Sequence, residues 1–172
     1  MKDIIRGEII IEIIKYIFLY RICMIDIKRK IISDKYLIML FFLNLIESFI
    51  KMDFEKYYLG MCIFSLPLLF LYITEDYFNK EFIGFGDIKL MIVLGGGLQL
   101  KIPEVISRVN IQNVLDFYMY LYIISGIFSF LLLVFIKIYN KVKNRNKNIK
   151  YLPFAPFLVI TYIIMEFKLR GI

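Results

Sequence analysis

Twenty consecutive residues without a charge, 117–136, and eighteen more at 57–74, leave this chain few ways to fold. A run of about 20 apolar residues is the length an α-helix needs to cross a bilayer. Around these two runs the pattern repeats in weaker form, apolar stretches alternating with short islands of charge. Across 172 residues the chain is 60% hydrophobic, with a mean hydropathy of +0.73, yet it holds 22 Lys+Arg and 15 Asp+Glu. A water-soluble domain of this size has too little interior for that much apolar surface. The expected fold is an all-α polytopic membrane protein of about six transmembrane helices, forming one membrane-embedded domain over 1–172.

The expected spans are 9–25, 36–50, 57–74, 87–100, 117–136 and 151–165. The first is interrupted by Glu12, Lys15 and Arg21; Glu12 and Lys15, three apart, are expected to pair on one helix face, and Arg21 to snorkel. An interfacial amphipathic helix is the other reading of that stretch. Glu8, Glu12 and Lys15 also argue against a cleavable signal peptide. Pro67 lies inside the third span, where a kink or compensation by neighbours is expected. The fourth is short, its apolar part being 90–100, and Gly95-Gly96-Gly97 within it suits close helix approach or local unwinding. Polar loops are expected at 27–35, 75–86, 101–114 and 137–150.

The net charge of +7 comes from Lys and Arg that flank apolar runs, which fits anionic lipid head groups better than nucleic acid. Sorting the loops onto alternate sides puts most of them beside Asp26, Asp87 and the 137–150 loop. That side is expected to face the cytoplasm, with both termini outside. The chain has no histidine and no CxxC, which excludes Ser-His-Asp triads, Cys-His nucleophiles and the usual zinc sites. Cys23 and Cys62 read as small buried hydrophobes.

Acids at the mouths of membrane segments are costly unless partnered or employed. Asp87 stands in Gly84-Phe85-Gly86-Asp87-Ile88-Lys89, just before an apolar run; Asp26 ends another and opens Lys28-Arg29-Lys30. The topology puts both at one membrane face. Two carboxylates held close cannot both ionise cheaply, so they share a proton. The ionised member deprotonates a water and the protonated one donates to a carbonyl oxygen, which hydrolyses a peptide bond with neither metal nor cofactor. Gly84 and Gly86 are expected to adopt backbone conformations closed to other residues and to let a substrate strand approach. Asp87 is expected at a helix N-terminus, where the macrodipole favours its ionised form. Lys89 either adds to that field or snorkels to a head group.

These residues resemble the type IV prepilin peptidase and preflagellin peptidase family, GxGD-type membrane aspartyl proteases. The family's G-x-G-D-h-K stands as Gly84 to Lys89. Its first aspartate with the basic stretch and I-P-[ND] looks like Asp26-Ile27-Lys28-Arg29-Lys30-Ile31-Ile32-Ser33-Asp34, with Ser33 in the proline position. Its late P-F-x-P-F-L stands as Pro153-Phe154-Ala155-Pro156-Phe157-Leu158. The resemblance covers essentially the whole chain. It implies Asp26 and Asp87 as catalytic residues, and cleavage at the cytoplasmic membrane face of a pilin-like or flagellin-like precursor with a basic leader and an apolar helix. It implies peptidase activity only, since the domain that larger members associate with N-methylation has no counterpart here. Pro153 and Pro156 are expected to hold the last helix near the dyad, and Asp34, Glu75, Asp76 or Glu81 to receive the basic leader. The alternatives are a presenilin-like intramembrane protease, with deeper aspartates, and a non-catalytic membrane subunit or transporter in which both acids merely bound helices.

Overall fold

The apolar stretches become six helices in the computed structural model, which describes residues 2–78, 83–102, 111–142 and 153–170. They are α1 (Lys2–Arg29), α2 (Asp34–Lys51), α3 (Phe54–Phe78), α4 (Phe85–Gln99), α5 (Ile111–Val142) and α6 (Ala155–Arg170). No strand occurs among the described residues.

The helices outrun the apolar stretches that seeded them. Hydrophobicity marks where a helix is buried, whereas backbone hydrogen bonding continues until a residue breaks it. α1 runs through Asp26 and stops only where Lys30 turns left-handed at φ 56°, its N–H still bonded to the Asp26 carbonyl at 2.7 Å. The expected polar loop at 27–35 is therefore only four residues, 30–33. α2 ends similarly at Met52, φ 55°. α3 passes through Pro67. α5 starts before and ends beyond its expected span, so the basic stretch from 137 begins in helix; residues 143–150 lie outside the described residues.

Among the described residues one helix, Phe54–Glu75, is by itself long and apolar enough to cross a membrane, and Met119–Leu132 is apolar but shorter. The reasons are local. α4 and α6 have only 15 and 16 residues, and α1 and α2 carry charges within their apolar stretches.

α4 is the centre of the packing. Ile88, Leu90, Met91, Leu94 and Leu98 are buried, and the helix lies against α2, α3 and α6. The glycine triplet keeps its helical form and allows close approach of two helices, α3 and α2. A Cβ on Gly95 would lie 2.7 Å from the Gly60 carbonyl oxygen and 2.5 Å from Phe64; one on Gly96 would strike Tyr57, and one on Gly97 would crowd Asn44. Asn44 uses that proximity to donate from Nδ2 to the Val93 carbonyl at 2.8 Å. α3 buries its Gly60 and Phe64 stripe there, which turns Cys62 outward; Cys62 is exposed and Cys23 half-buried, not the two buried thiols expected.

Ion pairs close the bundle about 16 Å from Asp26, since Lys15 lies eleven residues earlier on α1 at 1.5 Å per residue. The Lys15 ammonium is buried and meets Glu47 of α2, which also holds Lys51 at 2.7 Å. Lys101, just beyond α4, meets Glu12 at 3.1 Å and Glu166 of α6. The expected pairing of Glu12 with Lys15 along α1 is thus replaced by pairings between helices. Three apart on one helix, the two side chains are directed by packing to different neighbours.

Candidate active site

Asp26 sits in the last turns of α1, on the stripe that carries Leu19 and Ile22 into the core, and is only 5% exposed. A buried carboxylate needs a donor. It finds one in α6: the Ala155 backbone N–H donates to Asp26 Oδ2 at 3.1 Å. The sequence around Ala155 leaves that donor available. The first N–H groups of a helix have no intrahelical partner, and Pro156 in the same turn has no N–H at all. Pro153 and Pro156 thus flank the group that reaches Asp26. Ala155 was missed in the sequence because its side chain has no chemistry and its contribution is a main-chain one; the flanking prolines were the available signal.

Asp87 lies in the first turn of α4, as expected, with Gly84 as the residue before the helix. It precedes the apolar run from Leu90 and so stands at the mouth of that segment rather than within it. Neither glycine of the motif needs an unusual backbone. Gly84 is extended at φ −72°, ψ 137°, and no described glycine has positive φ. The glycines serve by absence of a side chain instead. A Cβ on Gly86 would lie 3.1 Å from the Cβ of Ile32, and one on Gly84 would sit 3.4 Å from Asp87 Oδ2. Gly86 thus admits the α1–α2 connection, and exposed Gly84 lies beside the Asp87 carboxyl, where a Cβ would be in ordinary contact with it.

Burial raises the Asp26 carboxyl above the usual range, with the Ala155 N–H pulling it partly back. Asp87 is pushed up from 3.8 to about 7, first by burial and then by the charge of Asp26, against a lowering hydrogen bond from the Gly84 backbone. The charge of Asp26 thus adds to burial in keeping Asp87 protonated. One protonated and one ionised carboxyl is the arrangement that general acid–base chemistry uses near neutral pH.

Lys89 and Asp34 are brought together: Lys89 Nζ is 2.8 Å from Asp34 Oδ1 and lies 5.3 Å from the centroid of the Phe85 ring. The Glu75 carboxylate accepts the Ile83 N–H at 2.6 Å, anchoring the approach to Gly84. Two of the four acids expected to receive a basic leader therefore already have work within the protein. The Asp76 side chain and Glu81 lie outside the described residues. Among the described residues no group of three or more His, Cys, Asp or Glu is placed to hold a metal ion.

Residues 13–171 match the sequence profile of the type IV leader peptidase family. The chain belongs to that family. The match takes in the Asp26 stretch, the Gly84–Asp87 turn and the Pro153–Pro156 turn together, so the three segments that meet at this site all lie within the type IV leader peptidase homology. As a leader peptidase of this kind the protein is a hydrolase of peptide bonds, with pilin-like precursors as the general substrate class. No curated relative and no solved structure matches the chain.

Proposed function

We propose that this type IV leader peptidase is a polytopic aspartyl endopeptidase of the cytoplasmic membrane. It removes the short basic leader from a type IV pilin-like or flagellin-like precursor at the cytoplasmic face. Asp26 and Asp87 form the catalytic dyad. The observation that carries this reading is geometric: Ile32, just after the Asp26 turn, packs on Gly86, the residue before Asp87, while the Ala155 N–H from the proline-flanked turn reaches Asp26.

In this mechanism the pair holds one proton and titrates as a unit. The ionised carboxylate takes a proton from water as it attacks the scissile carbonyl carbon. The protonated partner donates to the carbonyl oxygen, and the proton then passes to the leaving amine as the C–N bond breaks. No covalent intermediate forms. The leader junction lies extended over exposed Gly84, beside the Asp87 carboxyl. Supporting a membrane setting are the large apolar side chains left outward, among them Leu66, Phe70 and Ile73 on α3 and Phe130 and Phe135 on α5. An exposed apolar surface of that extent is stable against lipid rather than water.

The test is cleavage of a leader-bearing pilin-like precursor in membranes by wild type, Asp26→Asn and Asp87→Asn. Each isostere keeps the shape and removes the titrating group. Both variants are expected to lose at least about a hundredfold in rate while still inserting, the scale of general acid–base catalysis. Normal cleavage by either would reduce that aspartate to a helix boundary.

A further inference from the structure

The two candidate catalytic carboxyls belong to segments that no secondary structure joins. Asp26 is followed by the 30–33 connection and the start of α2, whereas Asp87 lies in the first turn of α4. Where these segments meet, two contacts cross. Ile32 packs so closely on Gly86 that a Cβ there would stand 3.1 Å away. Two residues after Ile32 and three after Gly86, Asp34 and Lys89 form the 2.8 Å ion pair. Apolar contact and ion pair lie side by side, with the Lys89 ammonium over the Phe85 ring, whose centroid in turn lies 5.7 Å from that of Tyr72 on α3.

We propose that Asp34 and Lys89 are positioning residues. Their ion pair fastens the α1–α2 connection to the first turn of α4 and thereby sets the separation of Asp26 and Asp87. A lysine snorkelling to a head group needs no carboxylate beside it, and an aspartate in the first turn of α2 would ordinarily serve its own helix. Here the α2 start has no side-chain cap bond, and the Asp34 carboxylate turns to α4 instead. Lys89 is 40% exposed and Asp34 64% exposed at the side chain, so the pair contributes little to global stability. Its influence is local: it shifts the balance between a closed and a parted arrangement of two segments that otherwise meet here only through the packing of Ile32 on Gly86.

The inference rests on the peptidase reading for its catalytic consequence, but its geometry is tested without activity. In a background with Cys23 and Cys62 replaced by Ala, Ile32→Cys with Gly86→Cys gives a pair whose Cβ atoms are within disulfide reach after a few tenths of an ångström of adjustment. The rate of disulfide formation in membranes then reports closure. Asp34→Ala or Lys89→Ala is expected to slow it about two- to fivefold, the range an exposed ion pair allows. The exchange Asp34→Lys with Lys89→Asp is expected to restore it. In the native-cysteine protein the same single changes are expected to lower kcat on a pilin-like precursor by more than they alter KM, with recovery in the exchanged pair.

A disulfide rate indifferent to both single changes overturns the proposal. So does a loss of activity that the exchange fails to restore, which would mean direct contact of Lys89 or Asp34 with substrate. Normal activity in single variants whose closure is impaired overturns the positioning role. Closure that depends on the pair in a protein inactive on every precursor supports the fastening and sinks the peptidase mechanism instead.

Discussion

The Ala155 N–H donates to Asp26 Oδ2 at 3.1 Å, joining the first residue of the last helix to the last turns of the first. This bond closes the bundle into a ring at the candidate site. It gives the carboxylate a main-chain donor, and it explains why a proline-flanked alanine belongs to the constellation.

Replacing that donor has a signed consequence. Proline is well tolerated at the first position of a helix, so Ala155→Pro removes one N–H with little expected cost to α6. A hydrogen bond to a carboxylate favours the ionised form, and its loss raises the Asp26 pKa. The acidic limb of kcat/KM should move up by about one pH unit, the equivalent of roughly 1.4 kcal/mol. Thermal unfolding of the variant controls for folding, and an unmoved limb would show that the bond does not govern the titration.

Asp87 makes the protein's stability depend on pH in a direction opposite to that of a salt-bridged aspartate. Its folded pKa is raised from 3.8 to about 7. The stability it contributes is fully present below the unfolded value and is lost as pH rises through the folded one. Asp87→Asn should therefore match wild type at about pH 4 and unfold a few degrees higher at about pH 8. Equal melting temperatures at both pH values in detergent would contradict the buried, coupled site.

The contact between α3 and α4 leaves no room for a methyl group. A Cβ on Gly60 would lie 2.5 Å from the Gly95 carbonyl oxygen and 2.4 Å from the Gln99 Cβ. Gly60→Ala and Gly95→Ala should each destabilise by about 1–3 kcal/mol, the usual cost of overpacking. Gly126 on α5 has nothing within 4 Å, so Gly126→Ala should be neutral or slightly stabilising through helix propensity. Equal behaviour of the three in thermal unfolding would argue against the close crossing.

At the far end of the bundle the buried pair of Lys15 and Glu47 gives a double-mutant test. Lys15→Met leaves Glu47 with Lys51 alone in a buried setting and should cost about 3–5 kcal/mol. Adding Glu47→Leu should recover most of that, because two apolar side chains replace the pair without stranding a charge. A double variant no better than the single would mean that the charges are needed individually.

Much of this protein was legible from order along the chain. Apolar runs between islands of charge marked six helices, and spacing put Asp87 in the first turn of α4. The triplet at Gly95 announced close packing, because each of these follows from local periodicity or residue size. The motifs around Asp26, Gly84 and Pro153 also sufficed to expect the family. What the sequence misjudged depends on direction in space. Glu12 and Lys15 are neighbours on one helix, yet packing sends Lys15 to Glu47 and Glu12 to Lys101. Gly84 and Gly86 were expected both for unusual backbone and for close approach; neither has positive φ, and at Gly86 a Cβ would crowd Ile32. Tertiary structure alone decided that Asp34 turns to Lys89 and that a main-chain donor from α6 reaches Asp26. Sequence specifies which groups exist and on which face of their own helix they lie; which group of another helix they meet is set by how the helices pack.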